Sequence, residues 1–371
     1  MLTESSSRPS RAFRFLWSLL LCGGLSGCGI TYVAQAAQGQ WSLMRARRPI
    51  PRVLADPQAS PALKTRLQLV QDARDFASSD LLLPQNRSYR SYSDLQRPYA
   101  VWNVVAAPEF SIQPLRWCFP FTGCISYRGY FHERSARRYA AALAARGNDI
   151  LVYGVAAYST LGHFADPVLN TMMDYGDLEL VAMIFHELAH QLIYVRDDSE
   201  FNESFAMSVE EEGLRRWLAA RGRGVELQQF LERRGVLEQV VGAFSGGRAR
   251  LGALYREPLP AARMRERKQE LLAATAQDVR ALEQRHGLRT GYDDWLDEGL
   301  NNAHLASIAT YSGCVPGFQR LLAERAGDLR LFYAAVRKLG RDPKARRALC
   351  RVSAVSPAGA AGGAATAEST P

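Results

Sequence analysis

Residues 185–206 read FHELAHQLIYVRDDSEFNESFA. His186 and His190 are four apart, so on an α-helix they project from one face, one turn from each other. Two imidazoles in that relation can grip one metal ion, with zinc–nitrogen distances of about 2.0–2.1 Å. Glu187 sits about 100° around the helix from His186. It need not bind metal. It can take a proton from a water that zinc acidifies toward a pKa of about 7. The chemistry these three residues suit is metal-assisted hydrolysis.

A catalytic zinc needs a third protein ligand. The longer pattern that would supply a third histidine is absent, because Ile193 and Arg196 stand at its Gly and His positions. His132, His163, His286 and His304 are remote in sequence. A carboxylate is therefore expected, from among Asp197, Asp198, Glu200, Glu203 and Glu210–Glu212. Residues 197–201 read as a turn and 202–218 as a returning helix, which can bring an early glutamate back to the histidines. Glu203 and Glu210 share a face of that helix about 10 Å apart along its axis, so the two do not easily bind one ion.

The elements that must hold these residues are legible in the periodicity. Over 176–196 the apolar residues Val181, Ile184, Phe185, Leu188 and Leu192 recur at helical spacing, and Asp177 suits an N-cap. Helices are expected over 29–48, 60–79 and 133–147, and through most of the chain from Glu203 to about 350. Segments 98–108, 119–131 and 148–160 are rich in aromatic and β-branched residues and read as strands and turns. The fold expected is α+β, mostly helical, with a small sheet beside the histidine-bearing helix.

At 371 residues, 47% hydrophobic and 22% charged, the chain can bury a substantial core. The formal net charge is +9. Its arginines are spread over expected helices such as 248–270, which reads as a solvated face, and no nucleic-acid motif accompanies them. Arg8, Arg11 and Arg14 precede a short apolar run over 13–25, which ends in LSGC at 25–28. LSGC resembles the bacterial lipobox, which implies removal of residues 1–27 and lipidation of Cys28. Residues 28–352 would form the catalytic body, tethered to a membrane, and 353–371 a low-complexity tail. Four cysteines remain. The Pro/Gly-containing stretch WCFPFTGC can bring Cys118 to Cys124, leaving Cys314 and Cys350 as a second pair, as an oxidising envelope permits.

The box FNESFA (201–206) resembles the one that carries the glutamate ligand in aminopeptidase N-like zinc peptidases. Together with LSGC, YRGYF (127–131), AYSTLGHFADP (157–167), FHELAHQ (185–191) and LNNAHLA (300–306), it resembles a family of bacterial zinc aminopeptidases, often lipoproteins. The resemblance implies a gluzincin-like fold holding one Zn2+, with His186, His190 and Glu203 as ligands and Glu187 as base. It implies peptide substrates and a periplasm-facing position in the envelope. Gly29 after Cys28 points to the outer membrane. Related enzymes bind the substrate backbone along an edge strand, which Tyr158, Ser159 and Thr160 would form here. They also place a donor at the developing oxyanion, for which Tyr311 and Tyr158 are candidates. One departure stands out: thermolysin-like enzymes carry an Asp four residues after the ligand Glu, where this chain has Met207. Glu179, Asp197 and Asp198 are the candidates for orienting a histidine, and Glu210 for meeting a substrate amine. An envelope endopeptidase and a non-enzymatic lipoprotein scaffold are the rival readings.

Overall fold

The computed structural model describes residues 27–119 and 123–351, without the side chains of 27–31, 309–312 and 351. The expected lipid-bearing Cys28 side chain, residues 1–26, the Tyr311 side chain and the tail thus lie outside the described residues. The fold is α+β and mostly helical. In chain order the elements are α1 (Gly27–Arg45), β1 (Arg48–Pro49), α2 (Ile50–Ala55), α3 (Pro61–Ser79), β2 (Ser91–Ser93), β3 (Val101–Pro108), β4 (Trp117–Phe119), β5 (Gly123–Ile125), β6 (Arg128–Tyr130), α4 (Glu133–Ala144), β7 (Asn148–Val155) and β8 (Val168–Leu169). Then come α5 (Asp177–Leu192), α6 (Ser199–Ala220), α7 (Gly224–Leu254), α8 (Ala261–His286), α9 (Asp293–Glu298), α10 (Asn302–Ser312), α11 (Val315–Ala323), α12 (Leu329–Gly340) and α13 (Pro343–Arg351).

The main sheet is small and antiparallel, in the order β6-β3-β7. Alternation along β3 sends Val104 and Ala106 toward α4, where they pack with Ala136, Ala140 and Leu143. Val105 goes to the other face, against Leu151 and Ala303 of α10. The largest core lies under α3, α5, α6 and the C-terminal helices. It is densely aromatic: Phe76, Phe185 and Trp217 meet edge to face or tilted, and Phe201 and Phe205 meet Phe318.

A separate core holds the long antiparallel pair α7 and α8 with α9 and α10. The basic stretch 248–270 spans the end of α7 and the start of α8. Arg250, Arg263, Arg265, Arg267 and Lys268 within it are each paired with a carboxylate. Lys268 is buried and also reaches the Glu109 carbonyl, while its partner Asp149 accepts from the Asn302 backbone. Asn302 in turn donates to the carbonyls of Pro108 and Glu109. This network ties the helical pair to the end of β3.

Candidate metal centre

α5 starts at Asp177, so Gly176 rather than Asp177 is its N-cap, and Asp177 and Glu179 supply the acidic first turn that favours a helix N-terminus. Its buried face is Leu180, Val181, Ile184, Phe185 and Leu188. The helix stops at Leu192, four residues before its expected end. Ile193 takes an extended conformation, and the chain turns through Asp197, whose φ is +67°. α6 then begins at Ser199, capped by the Asp198 side chain accepting from Phe201 N at 3.2 Å. Glu203 therefore lies in the second turn of this helix rather than its first.

Asn202 explains how the turn is held. Its buried amide accepts from Val195 N and donates to Val195 O, both at 2.7 Å. The pair of bonds imitates one rung of a β-ladder and fixes the extended linker to α6. Gly213 lets the helices approach: a Cβ there would lie 2.6 Å from the Phe185 ring and 2.9 Å from Leu81.

This crossing brings three ligand atoms together. His186 Nε2 lies 3.1 Å from His190 Nε2 and 3.4 Å from Glu203 Oε2. His190 Nε2 lies 3.5 Å from the same oxygen. Tetrahedral ligands about 2.0–2.1 Å from one zinc ion stand about 3.3–3.4 Å apart. The triangle present here is thus the size such an ion requires. Among the described residues, His186, His190 and Glu203 form the group of His, Cys, Asp and Glu side chains placed to hold a metal.

The histidines and the glutamates perturb each other strongly. Burial would raise the Glu203 carboxyl, but His190 and His186 outweigh it and hold the group well below the usual carboxylate range. Burial would lower the His186 imidazole, yet Glu203 and Glu210 raise it well above its ordinary value. Without a metal the carboxylates are balanced by a proton, which a metal would displace.

Glu210 lies against the far side of the His186 ring. Its Oε2 lies 3.1 Å from His186 Nδ1, on the opposite side of the ring from the ligand triangle. It is not among the three grouped ligand atoms. It is placed to orient His186, the task expected of Glu179, Asp197 or Asp198. Those three are engaged elsewhere. Asp197 Oδ1 accepts from Cys124 N at 2.6 Å, and Asp198 pairs with Arg346 at 2.6 Å. Glu179 folds back over Gly176. Met207 stands four residues after Glu203, and Glu210, one turn further along, is the carboxylate that meets His186 Nδ1.

Glu187 is half-buried on α5. Tyr127, just before β6, is electrostatically coupled to the site and was given no role from the sequence. Burial raises its phenol well above the ordinary range, and Glu203, Tyr153, Tyr194 and Glu187 add to that. Tyr194, in the linker after α5, is pushed up to about 12 by burial and then by Glu203 and Asp197. These phenols stay protonated and can donate. The signal available was YRGYF itself, quoted for its resemblance but given no role.

Tyr158, Ser159 and Thr160 lie beyond the end of β7 at Val155, in a loop rather than a strand. The loop closes on buried Asp166, which accepts from Thr160 N at 3.0 Å and Thr160 Oγ1 at 2.8 Å. Burial pushes the Asp166 carboxyl up to about 6. Tyr158 packs against Phe131 with ring centroids 5.1 Å apart. His304 of LNNAHLA is structural: its Nδ1 accepts from Asn301 N at 3.1 Å in a capping box that starts α10, and burial lowers its imidazole to about 4.

Two disulfides brace the same turn. Cys118 and Cys124 are joined across the β4–β5 hairpin, which docks on the turn through Cys124 N and through Arg116, whose guanidinium donates to Asp197 O at 2.9 Å. Cys314 and Cys350 are joined. Cys314 N donates to Ser204 Oγ, next to Glu203, at 3.0 Å. α13 carries both Cys350 and Arg346, the partner of Asp198.

No curated protein and no solved structure matches the chain at a significant level. A family model does, over residues 31–350, from α1 to the last disulfide, with the whole helix–turn–helix that carries the ligand triangle inside it. By that match the chain belongs to the family described as "Putative aminopeptidase".

Proposed function

We propose that the protein is a zinc aminopeptidase of gluzincin type, with His186, His190 and Glu203 holding one zinc ion. The observation that carries this is the triangle of ligand atoms, 3.1, 3.4 and 3.5 Å on its sides, beside a glutamate that is free of the ligand set. When bound, zinc supplies Lewis acidity to the scissile carbonyl and to the attacking water. Glu187 takes the proton of that water and delivers it to the leaving amine nitrogen. Tyr127, a buried phenol coupled to both Glu203 and Glu187, is the candidate to donate a hydrogen bond to the carbonyl oxygen as negative charge develops on it. Glu210 keeps the His186 ring turned so that Nε2 faces the metal position. The family supports an exopeptidase that requires a free substrate amine. The basic segment, the apolar run and LSGC support a lipid tether at Cys28 and an envelope location. No described helix is long and apolar enough to cross a membrane.

The test is metal content and turnover in three proteins. Wild type should hold about one zinc per chain and release residues from peptides with free amines, but not from N-acetylated ones. Glu203→Ala should lose the metal. Glu187→Gln should keep it while turnover falls by about 10²–10⁴-fold. Wild type that folds yet takes up no zinc ends the reading. Equal cleavage of acetylated peptides moves it to an endopeptidase.

A further inference from the structure

α1 has an outer face that does not suit water. Its inner face holds it to the body. Leu43 is buried, and Gly39 lies flush on Phe131, where a Cβ would come within 2.1 Å of the ring. The Gln35 side-chain oxygen accepts from Phe131 N at 3.2 Å. Going about 160–220° around the helix from Gly39 gives Ala34, Ala37 and Trp41. This outermost line of a docked helix ordinarily carries charge. Here it is apolar, with Trp41 69% and neighbouring Val33 61% exposed.

The charge nearby has one sign. From residue 27 to 52 the chain holds Arg45, Arg47, Arg48 and Arg52 and not one acidic residue. Arg45 and Arg52 are exposed. An exposed tryptophan among small apolar residues, ending in arginines, matches the boundary between acyl chains and anionic headgroups. The apolar run 13–25 precedes the helix and Cys28 is its second residue, so α1 begins where the protein would meet a bilayer. Cys28 and Trp41 are about 20 Å apart along the axis. If the helix stood upright on its tether, Trp41 would be far from the lipid. If it lay flat, Trp41 would be in it.

We propose that α1 lies flat on an anionic bilayer, with Ala34, Ala37 and Trp41 in the interface and Arg45 among the headgroups. The surface thereby orients the catalytic body as well as tethering it. The proposal rests on the membrane attachment put forward above.

The test uses the full-length protein as a bacterial host processes it, reconstituted into phosphatidylethanolamine/phosphatidylglycerol vesicles with acyl-brominated lipid. Flotation reads attachment, and quenching of tryptophan fluorescence reads contact with acyl chains. Trp41→Phe is compared with wild type. The side chain is exposed, so the variant should keep the fold and its peptidase activity in detergent. We expect both proteins to float and the variant to lose roughly half or more of the quenching. Neutral phosphatidylcholine vesicles should weaken the Trp41-dependent part. Flotation with equal quenching in both proteins overturns the flat helix alone. Trp41 shielded from iodide but not quenched by lipid gives the face to another protein and overturns it too. No flotation removes both the attachment and the proposal. Undiminished quenching in neutral vesicles refutes the role of Arg45.

Discussion

Replacing Glu210 separates an orienting carboxylate from a ligand. Glu210 Oε2 stands 3.1 Å from His186 Nδ1, while His186 Nε2 faces His190 and Glu203. A proton on Nδ1 shared with Glu210 leaves the Nε2 lone pair for the metal and fixes the plane of the ring. Glu210→Ala removes the acceptor and frees the ring to rotate, but leaves all three ligand atoms in the chain. Loss of such a partner typically costs 10–100-fold in metal affinity, about 1.4–2.8 kcal/mol. Glu210→Gln should fall nearer the low end, since an amide oxygen of similar reach can still accept. The assay is competition for zinc against a chromophoric chelator at fixed pH, with Glu203→Ala in parallel. One zinc per chain, held more weakly in the order wild type, Gln, Ala, supports the geometry. Affinity in Glu210→Ala within twofold of wild type refutes the orienting role. Loss of stoichiometry as complete as in Glu203→Ala makes Glu210 a ligand and refutes the ligand triangle.

The turn should be as sensitive as the ligands. Asn202→Ala strands the backbone groups of Val195 and should cost about 2–3 kcal/mol in denaturant unfolding, with a parallel loss of zinc affinity. Unchanged values for both would show that the amide does not hold the linker. Cys350→Ser opens a bridge spanning 36 residues and should cost about 2–4 kcal/mol, read the same way. Asp166 gives a pH signature. Its folded pKa of about 6 stands above the ordinary 3.8, so the native state binds the extra proton. Stability from this group is full below about pH 4, is lost as pH rises through about 6, and differs by up to about 3 kcal/mol. Asp166→Asn should flatten that part of the curve of thermal midpoint against pH, and a curve of unchanged shape would contradict the burial argument. Tyr127→Phe should lower kcat by about 10²–10³-fold with little change in zinc content, and full turnover would remove Tyr127 from the site.

The helix of His186 and His190 could be read from sequence because its buried stripe repeats at helical spacing, and that spacing alone puts the two imidazoles on one face. The small sheet was legible for a different reason, the aromatic and β-branched residues of its segments, and β3 is buried along most of its length. What escaped depended on how elements meet. Helical spacing put Glu203 and Glu210 on one face of α6, but not which of them reaches Nε2 and which Nδ1 of His186. That choice is made by the depth of the crossing, which Gly213 against Phe185 and Leu81 sets, and by the Asn202 clamp on Val195. Tyr127 comes from the short link between β5 and β6, and no local period ties it to α5. The expected substrate strand over Tyr158–Thr160 failed as a strand because Asp166, six residues past Thr160, captures its backbone and hydroxyl. His304 was legible in principle, since Asn301 followed three residues later by a side-chain acceptor is an N-terminal capping pattern. A spacing rule finds ligands that share one helix. The residues that orient and assist them come from other segments, and only the packing of glycine, asparagine and disulfide at their junctions brings them in.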